Sequence, residues 1–306
     1  MKEAIYKNYQ ARQEQFLKSV GSLKSSYTSL SWTRVLLFVG ATIGVIVFAD
    51  NKNSTAMLVT IAIAILGYLV LLKRHAKVRF DLKLAQAREQ INLSEVKRMD
   101  NDLKGFEGGK KYYNAAHPYH EDLDIFGKHS LFQLINRTST FLGEKTLAKW
   151  LGAGAHVEEI NERQVSIQEL APNLDFRQDF EAFGKANTDT DVDHQPLLDW
   201  LKEDISLKNI GFYKIVLAVL PLAMISTIIL SSLDLMQTGV PVLIGIVNVI
   251  ILGGVFAKVQ EVSKRTEEGY KSLNAMRYQI QMIEKTDFSS PKLPMIKRKP
   301  HRQLRA

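Results

Sequence analysis

VLLFVGATIGVIVFA at Val35–Ala49 and AMLVTIAIAILGYLVLL at Ala56–Leu72 carry no charged residue. Between them lies only Asp50-Asn51-Lys52-Asn53-Ser54-Thr55. A second uncharged pair follows, Ile215–Leu233 and Val240–Ala257, joined by Asp234-Leu235-Met236-Gln237-Thr238-Gly239. A helix needs roughly 20 apolar residues to cross a hydrocarbon core, with a lower limit near 17. Three of the stretches reach that range. The first does so by adding Trp32, Thr33 and a snorkelling Arg34. A core helix of a soluble protein usually keeps one polar stripe, and these four have none. Four transmembrane helices, arranged as two hairpins, are the expected frame of the fold.

The flanking charges orient the hairpins. Arg34 precedes the first span, and Lys73, Arg74, Lys77 and Arg79 follow the second. Lys208 and Lys214 precede the third, and Lys258, Lys264 and Arg265 follow the fourth. Lysine and arginine near membrane spans stay on the cytoplasmic side. Both termini and the segment between the hairpins are therefore expected in the cytoplasm, and both short loops outside it. The expected location is the cytoplasmic (inner) membrane, with lipid as a partner.

Composition hides this pattern. The chain has 306 residues and a net charge of +8, and its mean hydropathy of −0.08 is that of an ordinary soluble protein. Much of the positive charge sits at span ends, where orientation accounts for it, so it does not by itself point to nucleic acid. There is no cysteine, which excludes disulfides, thiolate metal sites and cysteine nucleophiles. No cleavable leader is expected, because a long polar stretch precedes the first span.

Seven segments are expected. Residues 1–31 form a cytoplasmic lead-in, either an interfacial amphipathic helix or a solvated one. Residues 32–73 are hairpin 1. Residues 74–118 are a helical stalk and linker. In the stalk Leu82, Ala85, Val96, Met99 and Leu103 keep one heptad register that Glu89 and Asn92 interrupt. Residues 119–209 form a helical domain: apolar residues recur at helical spacing from Leu131 to Leu151 and again at Val157, Ile160 and Ile167, and Phe176, Phe180 and Phe183 mark a third helix. Nothing alternates with the period of a strand, so the fold class is all-α. Asp189, Asp191 and Asp193 make an acidic linker. Residues 210–258 are hairpin 2, 259–288 a second helical stalk, and 289–306 a basic tail. Both stalks are expected to pack on each other or on the domain.

Chemistry-bearing motifs are sparse. Gly143-Glu144-Lys145-Thr146 approaches a phosphate loop, but a carboxylate stands where the phosphate would lie and no glycine sits five residues earlier. His117 and His120 flank Pro118, which prevents a regular helix from presenting them together. No ionisable residue lies at mid-depth in the spans, which argues against a transporter. Ser226, Thr227 and Asn248 are the polar residues there and read as helix–helix contacts, as do Gly40 and Gly44. No catalytic, cofactor-binding or metal-binding residue is expected. Lys292, Lys297, Arg298, Lys299, Arg302 and Arg305 are the candidate contacts to nucleic acid or anionic lipid.

The stretch Tyr119–Thr138, YHEDLDIFGKHSLFQLINRT, resembles the start of the core "lever" domain of MutS-type DNA mismatch-repair proteins. The order of features is similar too: Leu131-Phe132, Arg137-Thr138, Gly143, Trp150-Leu151, then Ile160-Asn161-Glu162-Arg163-Gln164. The likeness covers about Glu121–Gly184. The four spans resemble a membrane-anchored MutS-like group of bacteria, in which two hairpins interrupt the lever helices and an ATPase domain follows. The resemblance implies ATP and magnesium only for an intact relative. The family's mismatch-reading domain and its phosphate loop are not visible here. The resemblance therefore implies a MutS-like scaffold or coupling module, a truncated member of an ATP-dependent mismatch-repair-related family, without catalysis of its own. Its partners would be the missing ATPase domain or another cytoplasmic protein, a second copy, and, weakly, DNA. The alternative is a stand-alone membrane adaptor unrelated to DNA.

Overall fold

The computed structural model describes residues 2–187, 219–220, 222–228, 230–231, 237, 239–290 and 293. Every regular element among them is helical. The chain divides into two units, Met1–Val192 with Asn274–Ala306, and Asp193–Leu273.

In the first unit, α1 (Lys2–Asp50) and α2 (Ser54–Met99) form one antiparallel hairpin. At 1.5 Å per residue each is about 70 Å long. Both are long and apolar enough to cross a membrane, and their apolar windows are wholly unburied. The turn is built from its own polar residues. Lys52 takes a left-handed φ of 53°, and the Asn53 side chain accepts from the Ala56 amide at 3.1 Å, capping α2.

Helix α1 runs straight through the expected boundary at 31/32. Its serine-rich stretch is a poor intrinsic helix former, but Thr28, Ser31 and Thr33 each bond back to the carbonyl four residues earlier. Pairing with α2 then holds it. The partners step down α1 as they step up α2. Arg34 donates to the Tyr68 hydroxyl at 2.8 Å. Ser31 meets His75 at 3.3 Å, Gln13 meets Glu89 at 3.2 Å, and Tyr6 meets Asp100 at 3.1 Å. The lead-in is therefore the second rail of the stalk. Gly44 lies at the helix–helix contact, where an added Cβ would sit 3.1 Å from Thr60, whereas Gly40 faces open space.

After α2 come irregular loops and a short 3-10 turn, Lys110–Tyr112. Then follow α3 (Leu131–Ile135), α4 (Phe141–Leu151), α5 (Val157–Leu170) and α6 (Leu174–Asn187). Ser130, Thr140 and Asn173 cap α3, α4 and α6 through their side-chain oxygens. Ile125, Phe126, Phe132 and Ala148 form one buried cluster, and Leu84 and Ile91 of α2 form another with Ala182 of α6. The helical spacing read from Leu131 to Ile167 is present; Phe132 and Ala148 are buried, while Leu142 is 54%, Val157 66% and Ile167 63% exposed.

The last helix, α7, is Gly239–Lys285. Within the first unit, Tyr278 stacks between Phe80 and Phe183 at ring distances of 5.3 and 5.1 Å. Gln279 donates to the Ser139 hydroxyl and the Phe180 carbonyl. Beyond α7, the Glu169 carboxylate accepts from the amides of Ser289 and Ser290. Those backbone bonds, joined by the Ser290 hydroxyl, hold the carboxyl of Glu169 below its ordinary range.

In the second unit, residues 222–228 are helical. Thr227 donates to the Ala223 carbonyl and Asn248 to the Ile244 carbonyl, each within its own helix. Both ends of the third expected span lie outside the described residues. The fourth expected span, Val240–Ala257, lies within α7, and its part up to Ile250 is apolar helix. The acidic linker also lies outside the described residues.

Candidate functional site

The stalk and the helical domain are joined by a band of buried polar side chains. Asn92 is fully buried on α2. Its amide donates to the Arg88 carbonyl at 2.7 Å and exchanges hydrogen bonds with the amide of Gln178 on α6, at 2.8 and 3.3 Å. This reciprocal pair satisfies groups that would otherwise be costly to bury. Arg88 donates to Asp179 at 2.7 Å. From α1, Arg12 donates to Gln178 at 3.0 Å and to Asp175 at 2.6 Å. Two helices, α1 and α2, thus converge on α6.

One turn further along α2, Glu95 is shared by two guanidinium groups. Arg137 forks onto it at 2.7 and 2.9 Å, and Arg98 reaches it at 2.9 Å. Arg98 also donates to the Asn136 carbonyl at 2.7 Å and lies 4.4 Å over the Phe106 ring. Burial, and then the charge of Arg137, make the Arg98 cation easier to deprotonate than usual. Burial presses on Arg137 in the same direction, but its hydrogen bonds and charge contact with Glu95 prevail and raise it. Bidentate pairing of this kind fixes orientation as well as charge. Beside it lies a cleft of about 590 Å³, lined by Glu95 and Arg137 and by apolar groups including Phe176, Phe180 and Ile283.

This arrangement suits positioning rather than bond chemistry. Each carboxylate in the band is matched to an arginine, and the side chains lock helix against helix. Spacing along the chain presents Asn92 as a flaw in an apolar seam and draws no notice to Glu95. The available signal is that polar interruption, together with the Arg137 that the MutS-like motif carries.

The other motifs legible along the chain have structural roles here. Gly143 sits in the first turn of α4, where its amide is already given to the Thr140 hydroxyl at 3.1 Å. Glu144 is buried and meets Lys111 at 2.9 Å. A phosphate at this turn would face an occupied amide and a buried carboxylate. His117 and His120 stack at 3.7 Å. His120 is buried and accepts from the Asn114 amide at 3.3 Å. Among the described residues no three metal-capable side chains gather. Lys292, Lys297, Arg298, Lys299, Arg302 and Arg305 lie outside the described residues.

A stretch of this chain is similar to the DNA mismatch repair protein MSH3 of Candida albicans, with 27% identity over 89 residues. The match covers 26% of this chain and 9% of that protein. It supports relatedness to mismatch-repair proteins at a distance. No family model matches the chain, and no solved structure matches it.

Proposed function

We propose that this chain is a membrane-anchored, MutS-like helical coupling module. Hairpin 1, and a second hairpin near residues 210–258, hold it in the cytoplasmic membrane with both termini and the helical domain in the cytoplasm. It carries no catalysis of its own. Its role is to tie a bilayer to a partner at the helical domain, either a MutS-type ATPase domain or another cytoplasmic protein.

The observation that carries this reading is the course of α2. One helix runs from a bare apolar stretch to the buried Asn92 and Glu95 bonds that grip the domain. Rigid elements of that kind are what can carry a state from one site to another. The open apolar residues of α4 and α5, Leu142, Val157, Ile160 and Ile167, favour a protein partner there. They equally support the adaptor reading, in which that partner has nothing to do with DNA.

Nucleotide binding tests the non-catalytic part. Purified chain should neither hydrolyse ATP nor bind it through Gly143–Thr146. Saturable binding lost on Lys145→Ala refutes this reading.

A further inference from the structure

The loops that follow α2 enclose a second cavity, of about 500 Å³. Lys104, Lys110, Lys128 and His129 stand around it, and Gly105, Gly108 and Gly127 supply part of its wall. None of the residues lining it is acidic. Lys104 and Lys110 are exposed, as is Lys128. Neighbouring Lys111 is committed to Glu144, but no ion pair among the described residues takes up Lys104, Lys110 or Lys128.

The cavity is held in shape by a buried side chain. Gln133 donates to the carbonyls of Leu103 and Phe106, at 3.0 and 2.7 Å, and accepts from the His129 amide at 2.7 Å. One amide group thereby fixes three separate points of the wall. The Gly127 amide donates to the Gly108 carbonyl at 2.7 Å, and the Ser130 hydroxyl to the Gly127 carbonyl at 2.9 Å. The two loops touch so closely that a side chain at Gly108 would strike the Gly127 carbonyl. Gly105 and Gly127 hold φ of +84° and +118°, which suits glycine and leaves backbone open to close approach by a ligand.

Lysines act on phosphate as point charges, and a cleft walled by protein concentrates their field. The volume lies within the usual range for small-ligand pockets, about 300–1,000 Å³. A nucleic-acid strand would instead want a groove that tracks its backbone, with aromatic faces for its bases. Distance along α2 argues against a lipid headgroup. From Leu72, where the apolar stretch ends, to Met99 is about 40 Å of helix. With the hairpin seated as proposed, headgroups of the same bilayer lie out of reach.

We propose that this cavity binds a small soluble phosphate-bearing ligand, a phosphomonoester or inorganic phosphate, held by Lys104, Lys110, Lys128 and His129. The site adjoins the brace between stalk and domain, because Phe106 lines it and Arg98 lies over the Phe106 ring. Binding would therefore be felt at the Glu95 junction.

The test is calorimetry on the full chain in neutral-lipid nanodiscs, with inorganic phosphate and glycerol phosphate as probes and chloride holding ionic strength constant. Saturable binding is expected. The double substitution Lys110→Ala, Lys128→Ala should weaken it about tenfold or more, since it removes two charge-assisted contacts. Lys128→Arg should retain it, and Lys145→Ala should leave it unchanged. Failure to saturate at millimolar phosphate, or equal binding by the double variant, overturns the site. Loss of phosphate binding in anionic-lipid nanodiscs would assign the cavity to headgroups and overturn the soluble-ligand assignment. So would an oligonucleotide that occupies the cavity and resists displacement by phosphate.

Discussion

Removing the Glu95 carboxylate should loosen the junction more than any other single truncation in it. Glu95→Ala leaves Arg98 and Arg137 facing each other without their shared counter-charge. The Glu95 and Arg98 side chains are 11% and 8% exposed, and that of Arg137 is 38% exposed. Breaking a buried ion pair by deleting one partner costs about 3–5 kcal/mol. Arg137 can partly rehydrate, which places this case near the lower end, about 3 kcal/mol. For a unit of this size each kcal/mol moves the midpoint about 2–4 °C, so a fall of about 6–12 °C is expected. The assay is loss of the helical circular-dichroism signal on heating, in the detergent used for purification. Glu95→Gln keeps the shape and an acceptor and should fall between the two. Replacing Glu95, Arg98 and Arg137 together by methionine should recover part of the loss, because no unpaired charge then remains at the junction. A midpoint change below about 2 °C for Glu95→Ala would refute the argument, since it corresponds to under about 1 kcal/mol.

Cysteines introduced at Asn53 and Gln237, both exposed, should react in intact cells with a membrane-impermeant thiol reagent, while one at exposed Gln168 should not; the opposite pattern reverses the proposed orientation. Burial, and then the neighbouring His117, lower the pKa of His120. The folded state therefore favours neutral imidazole, and the stability this contributes is complete above the ordinary value near 6.5 and is lost as pH falls below it. Backbone amide protection in residues 114–126, after allowance for the slower intrinsic exchange at lower pH, should fall on mild acidification, and unchanged protection across that range would remove His120 as the cause. DNA binding should be weak and blind to mismatches. If the six tail cations carry it, the log–log salt slope should be near −5, at about −0.9 per phosphate contact. A mismatch preference of about tenfold that survives deletion of residues 292–306 would show that the helical domain itself reads DNA.

The helices were legible because their signals are local. Spacing located α4 to α6, and the uncharged stretches located the cores of α1 and α2. The junction was not legible, because its partners are far apart in the chain: Asn92 and Gln178 are 86 residues apart. On α2 alone Asn92 reads as an interruption, and only α6 makes it a bonded pair. The lead-in was ambiguous for the same reason. Tyr6 and Gln13 acquire meaning from Asp100 and Glu89, which periodicity within 1–31 cannot show. Helical spacing at Val157, Ile160 and Ile167 identified a face but not what covers it. Ser166, on the same helix, is the buried position there.

The paired rails of α1 and α2 also have a mechanical consequence. Side chains tie them along their whole length, so they resist bending better than either would alone. A braced rod converts angle into displacement. Over about 70 Å, a change in tilt of about 5° carries the far end about 6 Å sideways. Helices that cross a bilayer adjust their tilt to its hydrocarbon thickness. For a hairpin seated as proposed, membrane thickness becomes an input, and the position of the Glu95 junction above the lipid becomes its readout.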